Sequence, residues 1–257
     1  MVYCLKIDLG APVAAADPYT HLDGFVAYAA GVESVGHDGL EALEDGGEPE
    51  YWRDEMPFET YAVDDEWVWA TSSAGIAYPE DGDGDGNSEP GAPEHWNTTR
   101  WRSHFDHDPE HQIKETHVNT SSGEFKSYNA ALPYSATDSL TFFFEGDAAR
   151  VVDLIETHVP GIGKKTSQGF GRISNVQVTS ADGAVESAIY HNGRVLRSLP
   201  PEFAPIPAPS FRYERRTVRP PYWHQANQAL AVPPFEDVPR ESLADELSLG
   251  EPAHPTP

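Results

Sequence analysis

The chain has 257 residues, with 17 Lys and Arg against 42 Asp and Glu and a formal net charge of −25 at pH 7. That length accommodates one large domain or two small ones with a buried core, while so acidic a surface repels polyanions and excludes non-specific nucleic-acid binding over most of it. A single cysteine, Cys4, excludes an intrachain disulfide, and neither a bilayer-length apolar run nor a secretion-signal opening occurs, so the chain reads as cytoplasmic, with no membrane partner.

The charge is uneven. Residues 1–150 hold 7 Lys and Arg against 30 Asp and Glu, residues 151–219 hold 9 against 6, and residues 220–257 hold 1 against 6. Only the middle section is net basic. Lysine is scarce and acid is spread through every segment, a balance that reads as halophilic adaptation.

In chain order, residues 2–9 (VYCLKIDL) alternate apolar and polar residues and stop at Gly10 and Pro12, which predicts an opening strand. From Leu22 to Ala30, Leu22, Val26 and Ala29 or Ala30 share one helical face. In the acidic section that follows, residues 66–70 and 75–78 are candidate strands, and the polar, glycine-rich stretch 80–94 cannot pack a core. Its DGDGDGN imitates a calcium loop, but counting from Asp81 places Ala92 where an EF-hand needs glutamate. Residues 96–105 alternate around Trp101, and residues 123–134 and 139–146 read as aromatic-rich strands. Asp147 caps a helix reaching about His158, with Val151, Val152, Leu154 and Ile155 as its apolar stripe. Residues 171–180 form another strand, and residues 184–199 a hairpin turning at Asn192-Gly193. Beyond Leu199 the chain is proline-rich and is expected to wrap or dangle, with an acidic, disordered end.

Strand, helix, strands, helix, glycine loop, strand is the order of a split β-α-β unit. The expected class is α+β, ferredoxin-like (RRM-like), with a glycine-rich loop, a large acidic insertion and a C-terminal β-hairpin extension. The expected division is a domain over residues 1–199, with the insertion at about 36–95, and a proline-rich extension over 200–257.

The chemistry concentrates in residues 159–173, VPGIGKKTSQGFGRI. This is not a P-loop, because Lys165 follows Lys164 where Ser or Thr is required and His158 stands where the first glycine belongs; the dinucleotide fingerprint also fails. What it contains is Gly161-Ile-Gly163, five residues KKTSQ, then Gly169-Phe170-Gly171. Glycines let a backbone approach a nucleic-acid strand closely, and free N–H groups can meet phosphates. Lys164 and Lys165 supply charge, Arg172 extends the patch, and Thr166, Ser167 and Gln168 can bond phosphates or 2′-hydroxyls. A helix C-cap followed by a tight turn accounts for the glycines without any ligand, and Phe170 reads as core.

Lys126 and Tyr128 share a strand face and suit an RNA backbone beside a stacked base, or a cross-strand contact; Arg100 and Arg102 likewise share a face, with Trp101 opposite. Arg212, Arg215, Arg216 and Arg219 form a second cluster, suited to RNA or to an acidic neighbour. His104, His107, His111 and His117 make a poor zinc set, with Pro109 between them and no cysteine nearby. No metal or cofactor is implied. His21 reads as a helix-start residue, with general acid–base chemistry as the alternative.

The glycine pattern, in its position after the second helix, resembles the glycine-rich loop of the RAMP proteins of CRISPR systems. PYTHLDGFVAYAA (18–30), GEFKSYNAALPY (123–134) and VRPPYWH (218–224) narrow the resemblance to the RAMP subunit of type IV CRISPR effector complexes, over about residues 3–224. The acidic stretch near 79–95 and the acidic tail depart from the family and read as haloarchaeal-type additions. The resemblance implies a non-catalytic, antiviral-defence ribonucleoprotein subunit that grips the 5′ handle of the CRISPR RNA and nucleates assembly. Its partners would be the backbone-filament RAMP subunits and the large subunit. RNA contact is then expected at Gly161, Gly163, Lys164, Lys165, Thr166, Ser167, Gln168, Gly169, Gly171 and Arg172, and at Lys126, Tyr128, Arg100 and Arg102. Two other readings stay open: a metal-independent endoribonuclease using His21 or a histidine of 104–117, and a protein-only scaffold subunit.

Overall fold

The computed structural model describes residues 1–15, 19–44, 55–75, 97–102, 129–204, 213–222, 225–238, 243 and 248–250. Val2–Leu9 is the expected opening strand and lies at the centre of a sheet, antiparallel to Ser139–Glu145 on one side and Ile173–Ser180 on the other. Alternation sorts its two faces. Leu5 and Ile7 join Leu140, Phe142 and Phe144 in the core, whereas Lys6, opposite Thr141 and Gln177, is exposed on the other face.

Two helices supply the second layer. Helix α2 spans Ala148–His158, capped as expected: an Asp147 carboxylate oxygen accepts from the Arg150 N–H at 3.1 Å, and Val151, Leu154 and Ile155 are buried. Helix α1 spans Leu22–Glu44, well beyond the nine residues anticipated, with a kink at Gly36, whose φ of 72° takes the chain out of the helical region. Leu22, Val26, Ala29 and Ala30 are buried as the periodicity requires, and Arg150 of α2 pairs with Glu33 of α1.

On the far side of the 139–145 strand runs a short edge. Thr71 bridges Phe144, and the Ser72 N–H donates to the Phe143 carbonyl at 2.8 Å. The order across the sheet is therefore 173–180, 2–9, 139–145 and the 70–72 edge, with each helix joining two parallel segments that flank an antiparallel one. This α+β arrangement is compatible with a ferredoxin-like fold.

A second core gathers Tyr61, Val68, Ile189, Tyr190, Val195, Leu199, Phe203, Val232, Val238 and Leu243. It includes the expected hairpin, with Tyr190–His191 against Arg194–Val195 and both turn residues in the left-handed region, Asn192 at φ 49° and Gly193 at φ 78°. It also draws in residues of the C-terminal part, which wraps onto it. Residues on both sides of position 199 share this core, Leu199 and Val232 exchange backbone hydrogen bonds, and Glu214–Thr217 pairs with Gln228–Ala231, so this part of the extension is packed. Ser248–Gly250, in the tail expected to be disordered, pairs with Thr60–Ala62. The apolar residues interleaved with the prolines are the physical reason, since they find a face prepared by residues 61–70.

Of the strands expected at 75–78, 96–105 and 123–134, the described residues hold Ser73–Gly75, Asn97–Arg102 and Asn129–Ser135; residues 76–78, 96, 103–105 and 123–128 lie outside the described ones. Among the described residues no helix is long and apolar enough to cross a membrane.

Candidate nucleic-acid interface

The glycine loop is a tightly tied structure. Where α2 ends, the Val159 N–H closes on the Ile155 carbonyl at 3.0 Å. The two ends of the loop then pair with each other, Ile162 N–H to the Gly171 carbonyl at 2.9 Å and Ile173 N–H to the Pro160 carbonyl at 3.2 Å. Both ends are also stitched to the segment after the opening strand. The Gly171 N–H donates to Pro12 at 2.8 Å, the Lys164 N–H to Ala14 at 2.5 Å, and Gly10 donates to the Arg172 carbonyl at 2.8 Å. The apex is a single 3-10 turn, Thr166–Gln168, entered through Lys165 at φ 63° and left through Gly169 at φ 92°.

Two of the glycines are required by close approach. A Cβ at Gly171 would stand 1.8 Å from the Ile162 carbonyl oxygen, and one at Gly163 would stand 2.4 Å from that of Ala14. At Gly169 an added Cβ meets nothing within 4 Å. The Gly169 N–H donates to Thr166 and the Gly171 N–H to Pro12. These two glycine donors are therefore engaged within the chain.

What the loop does present is side chains. Lys164, Ser167, Gln168 and Arg172 are exposed, while Lys165 and Thr166 are half-buried. Phe170 is half-buried as well, its ring 6.4 Å from that of Tyr134, and the two line a notch with Ala11, Pro12 and Gly169. It is not a core residue.

The distribution of ion pairs sharpens this picture. Lys6 pairs with Asp8, Arg150 with Glu33, Arg194 with Asp237, Arg197 with Asp23, Arg216 with Glu214 and Arg219 with Glu66. Among the described residues, Lys164, Arg172 and Arg215 form no ion pair, in a chain where acid outnumbers base.

Arg100 and Arg102 lie two apart on their strand, opposite Ala131 and Asn129. That strand belongs to the small sheet that also holds Val13–Ala14, and Ala14 bridges Lys164, so these positions are two strands away from the loop. Lys126, Tyr128, Arg212 and the histidines 104–117 lie outside the described residues. No group of His, Cys, Asp and Glu suited to a metal ion occurs among the described ones.

Beside the loop opens a groove of about 960 Å³. Its walls are the start of α1 (His21, Gly24, Phe25), the loop (Pro160 to Gly163 and Thr166) and the C-terminal hairpin (Arg215, Arg216, Thr217) with Tyr222. The His21 ring stacks on Tyr222, with centroids 4.5 Å apart and planes 8° from parallel, and its Nδ1 is 2.6 Å from the Ser73 hydroxyl. The Tyr222 hydroxyl donates to Asp23 at 2.7 Å, and the other Asp23 oxygen takes Arg197 at 3.0 Å. Arg197 is 1% exposed and also donates to the carbonyls of Trp69, Thr71 and Val218. Burial opposes its charge, but Asp23 and Tyr222 outweigh burial and hold its pKa above the ordinary value. No pattern in the sequence announces Arg197, Ser73 or the pairing of His21 with Tyr222, because their partners are far apart along the chain.

Burial, followed by the Asp23 carboxylate, pushes the Tyr222 hydroxyl well above 10.0, and burial with Glu145 does the same to Tyr61, whose hydroxyl donates to that carboxylate. In the unfolded chain both hydroxyls ionise near the ordinary value of about 10. Stability from these raised groups is therefore complete below about pH 10 and declines as pH rises further. Urea unfolding from pH 8 to 11 should show a flat midpoint and then a fall, and Tyr222→Phe should reduce the fall.

Three stretches far apart in the chain, His21 to Phe25, Pro160 to Gly163 with Thr166, and Pro220 to Tyr222, thus converge on one groove. The protein is a type IV CRISPR-associated component. It matches the model of the CRISPR type IV associated protein Csf3 family over residues 4–234, a span holding the loop and the whole groove, and it belongs to that family. No curated protein matches it. Membership makes the chain part of a type IV CRISPR complex with other subunits.

Proposed function

We propose that this chain is the subunit that grips the 5′ handle of the CRISPR RNA: a ferredoxin-like RAMP protein, cytoplasmic and without a catalytic role. It would nucleate assembly beside the backbone-filament subunits and the large subunit. The observation that carries the reading is the position of the unpaired cations. Lys164 and Arg172 stand on the glycine loop and Arg215 on the groove beside it, while Arg150, Arg194, Arg197, Arg216, Arg219 and Lys6 are matched with carboxylates; Lys165 adds its charge at the loop apex. The tied backbone holds the loop in one shape, so the cations are presented with little entropy to lose on binding. The acidic remainder, read as halophilic adaptation, keeps RNA off other surfaces.

The test is Lys164→Gln/Lys165→Gln in the complex purified with its RNA. Loss of two phosphate contacts should lower the slope of log affinity against log salt by about 1.4 and strip RNA at salt that leaves the wild type loaded. Unaltered RNA retention and assembly would favour a protein-only scaffold. A second reading has its own support: His21, held by Ser73 and stacked on Tyr222, lines the groove, where it could act as a general base in precursor processing. Repeat RNA that stays intact with the purified protein supports the non-catalytic reading. A site-specific cut that survives EDTA and disappears in His21→Ala overturns it.

A further inference from the structure

We propose that the groove between the start of α1, the glycine loop and the C-terminal hairpin is a seat for one unstacked nucleotide of single-stranded RNA. Ser198 stands in its wall and Arg215 on its hairpin side. The proposal rests on the reading of the loop as an RNA grip, and it adds a subsite that the loop does not contain.

Ser198 is the first observation. It lines the groove, is only 1% exposed, and its hydroxyl is buried with no hydrogen-bond partner among the described residues. A buried hydroxyl without a partner carries a desolvation penalty, which a ligand atom with polar edges would remove. Arg215 is the second: exposed, unpaired and on the C-terminal hairpin that lines the groove. Its neighbour Arg216 is held differently, against Glu214 and 5.1 Å above the Tyr19 ring.

The third observation is the mixture of surfaces. Phe25, Tyr28 and the stacked His21–Tyr222 pair offer ring faces, and Thr166 and Gln228 offer groups for hydrogen bonding. Ring faces suit a base, polar edges suit a ribose, and an unpaired guanidinium suits a phosphate. The volume lies within the roughly 300–1,000 Å³ typical of ligand sites. A peptide of neighbouring protein is the less favoured occupant, because an apolar or acidic side chain leaves the Ser198 hydroxyl or the ring faces unmatched.

The experiment uses the full chain, alone and in its complex, with a labelled oligouridylate, the matching oligothymidylate and a thiouridine-substituted oligouridylate for photocrosslinking. Ser198→Ala is expected to weaken oligouridylate binding by about three- to tenfold without lowering the urea midpoint of the RNA-free protein. Arg215→Gln should take about 0.7 from the salt slope, Arg194→Gln should take nothing, and oligothymidylate should bind more weakly. Crosslinks should fall within residues 19–28 or 213–222. Crosslinks confined to 164–172, with Ser198→Ala and Arg215→Gln at wild-type affinity, overturn the groove and leave the loop reading standing. No RNA binding by chain or complex removes both. Two further results overturn the groove alone: Ser198→Ala losing stability in step with affinity, or Arg215→Gln releasing a protein subunit while RNA retention is unchanged.

Discussion

Replacing Arg197 with methionine should lower the free energy of unfolding by about 3–5 kcal/mol, the loss expected when one partner of a buried ion pair is removed. Arg197 and Asp23 are each 1% exposed at their side chains and 3.0 Å apart. Without the guanidinium, Asp23 keeps only the Tyr222 hydroxyl, and the carbonyls of Trp69, Thr71 and Val218 lose a donor. Urea unfolding measures the loss directly. Arg197→Met/Asp23→Asn should recover part of it, because the neutral amide still accepts from Tyr222 but leaves no buried charge. A cost below about 1 kcal/mol for the single variant would mean that Asp23 reaches water, contrary to its burial. Function should follow stability here. The same guanidinium ties the start of α1, the 69–71 edge and Val218 together, and Ser198 is its neighbour in sequence, so its loss loosens the groove walls.

Gly171→Ala should cost about 3 kcal/mol or more. Left-handed strain contributes about 1–3 kcal/mol, and the Cβ would stand 1.8 Å from the Ile162 carbonyl oxygen, so the paired ends of the loop must separate. That separation removes the bond from Ile162 to Gly171 and disturbs the one from Gly171 to Pro12, each worth about 1 kcal/mol. Gly169→Ala is the matched comparison. Its φ is 92°, but its Cβ enters open space, so only a conformational cost of about 1–2 kcal/mol is expected. Urea midpoints with RNA retention on the complex should rank wild type, Gly169→Ala and Gly171→Ala in that order. Equal effects from the two variants would show that the loop ends are not clamped.

The glycine loop shows how far a local pattern carries. Its spacing pointed to one element, and it lies where expected, between α2 and the 173–180 strand. The spacing could not separate glycines that serve the fold from one that does not. That separation is made by what stands opposite each Cβ, the carbonyls of Ile162 and Ala14 against open space, and those atoms are brought there by other parts of the chain. Phe170, half-buried, departs from a core reading for the same reason. An aromatic at a strand entry has the hydrophobicity of a core residue, but its exposure depends on Tyr134 and Pro12 beside it.

By itself, the sequence determined the elements whose stability is local: the alternating strand at 2–9, the Asp147-capped helix, the Asn192-Gly193 turn, and the concentration of positive charge in 151–219. Periodicity, capping and turn chemistry act over a few residues and are written where they act. Only the tertiary structure decided that α1 continues to Glu44 and that the chain beyond Leu199 packs on residues 61–70. It alone decided that His21, Tyr222, Asp23 and Arg197 form one connected set, and which cations remain unpaired. Those outcomes depend on burial and on partners up to 199 positions apart, as between Asp23 and Tyr222. No short-range pattern encodes a contact whose free energy is realised only when distant segments exclude water together.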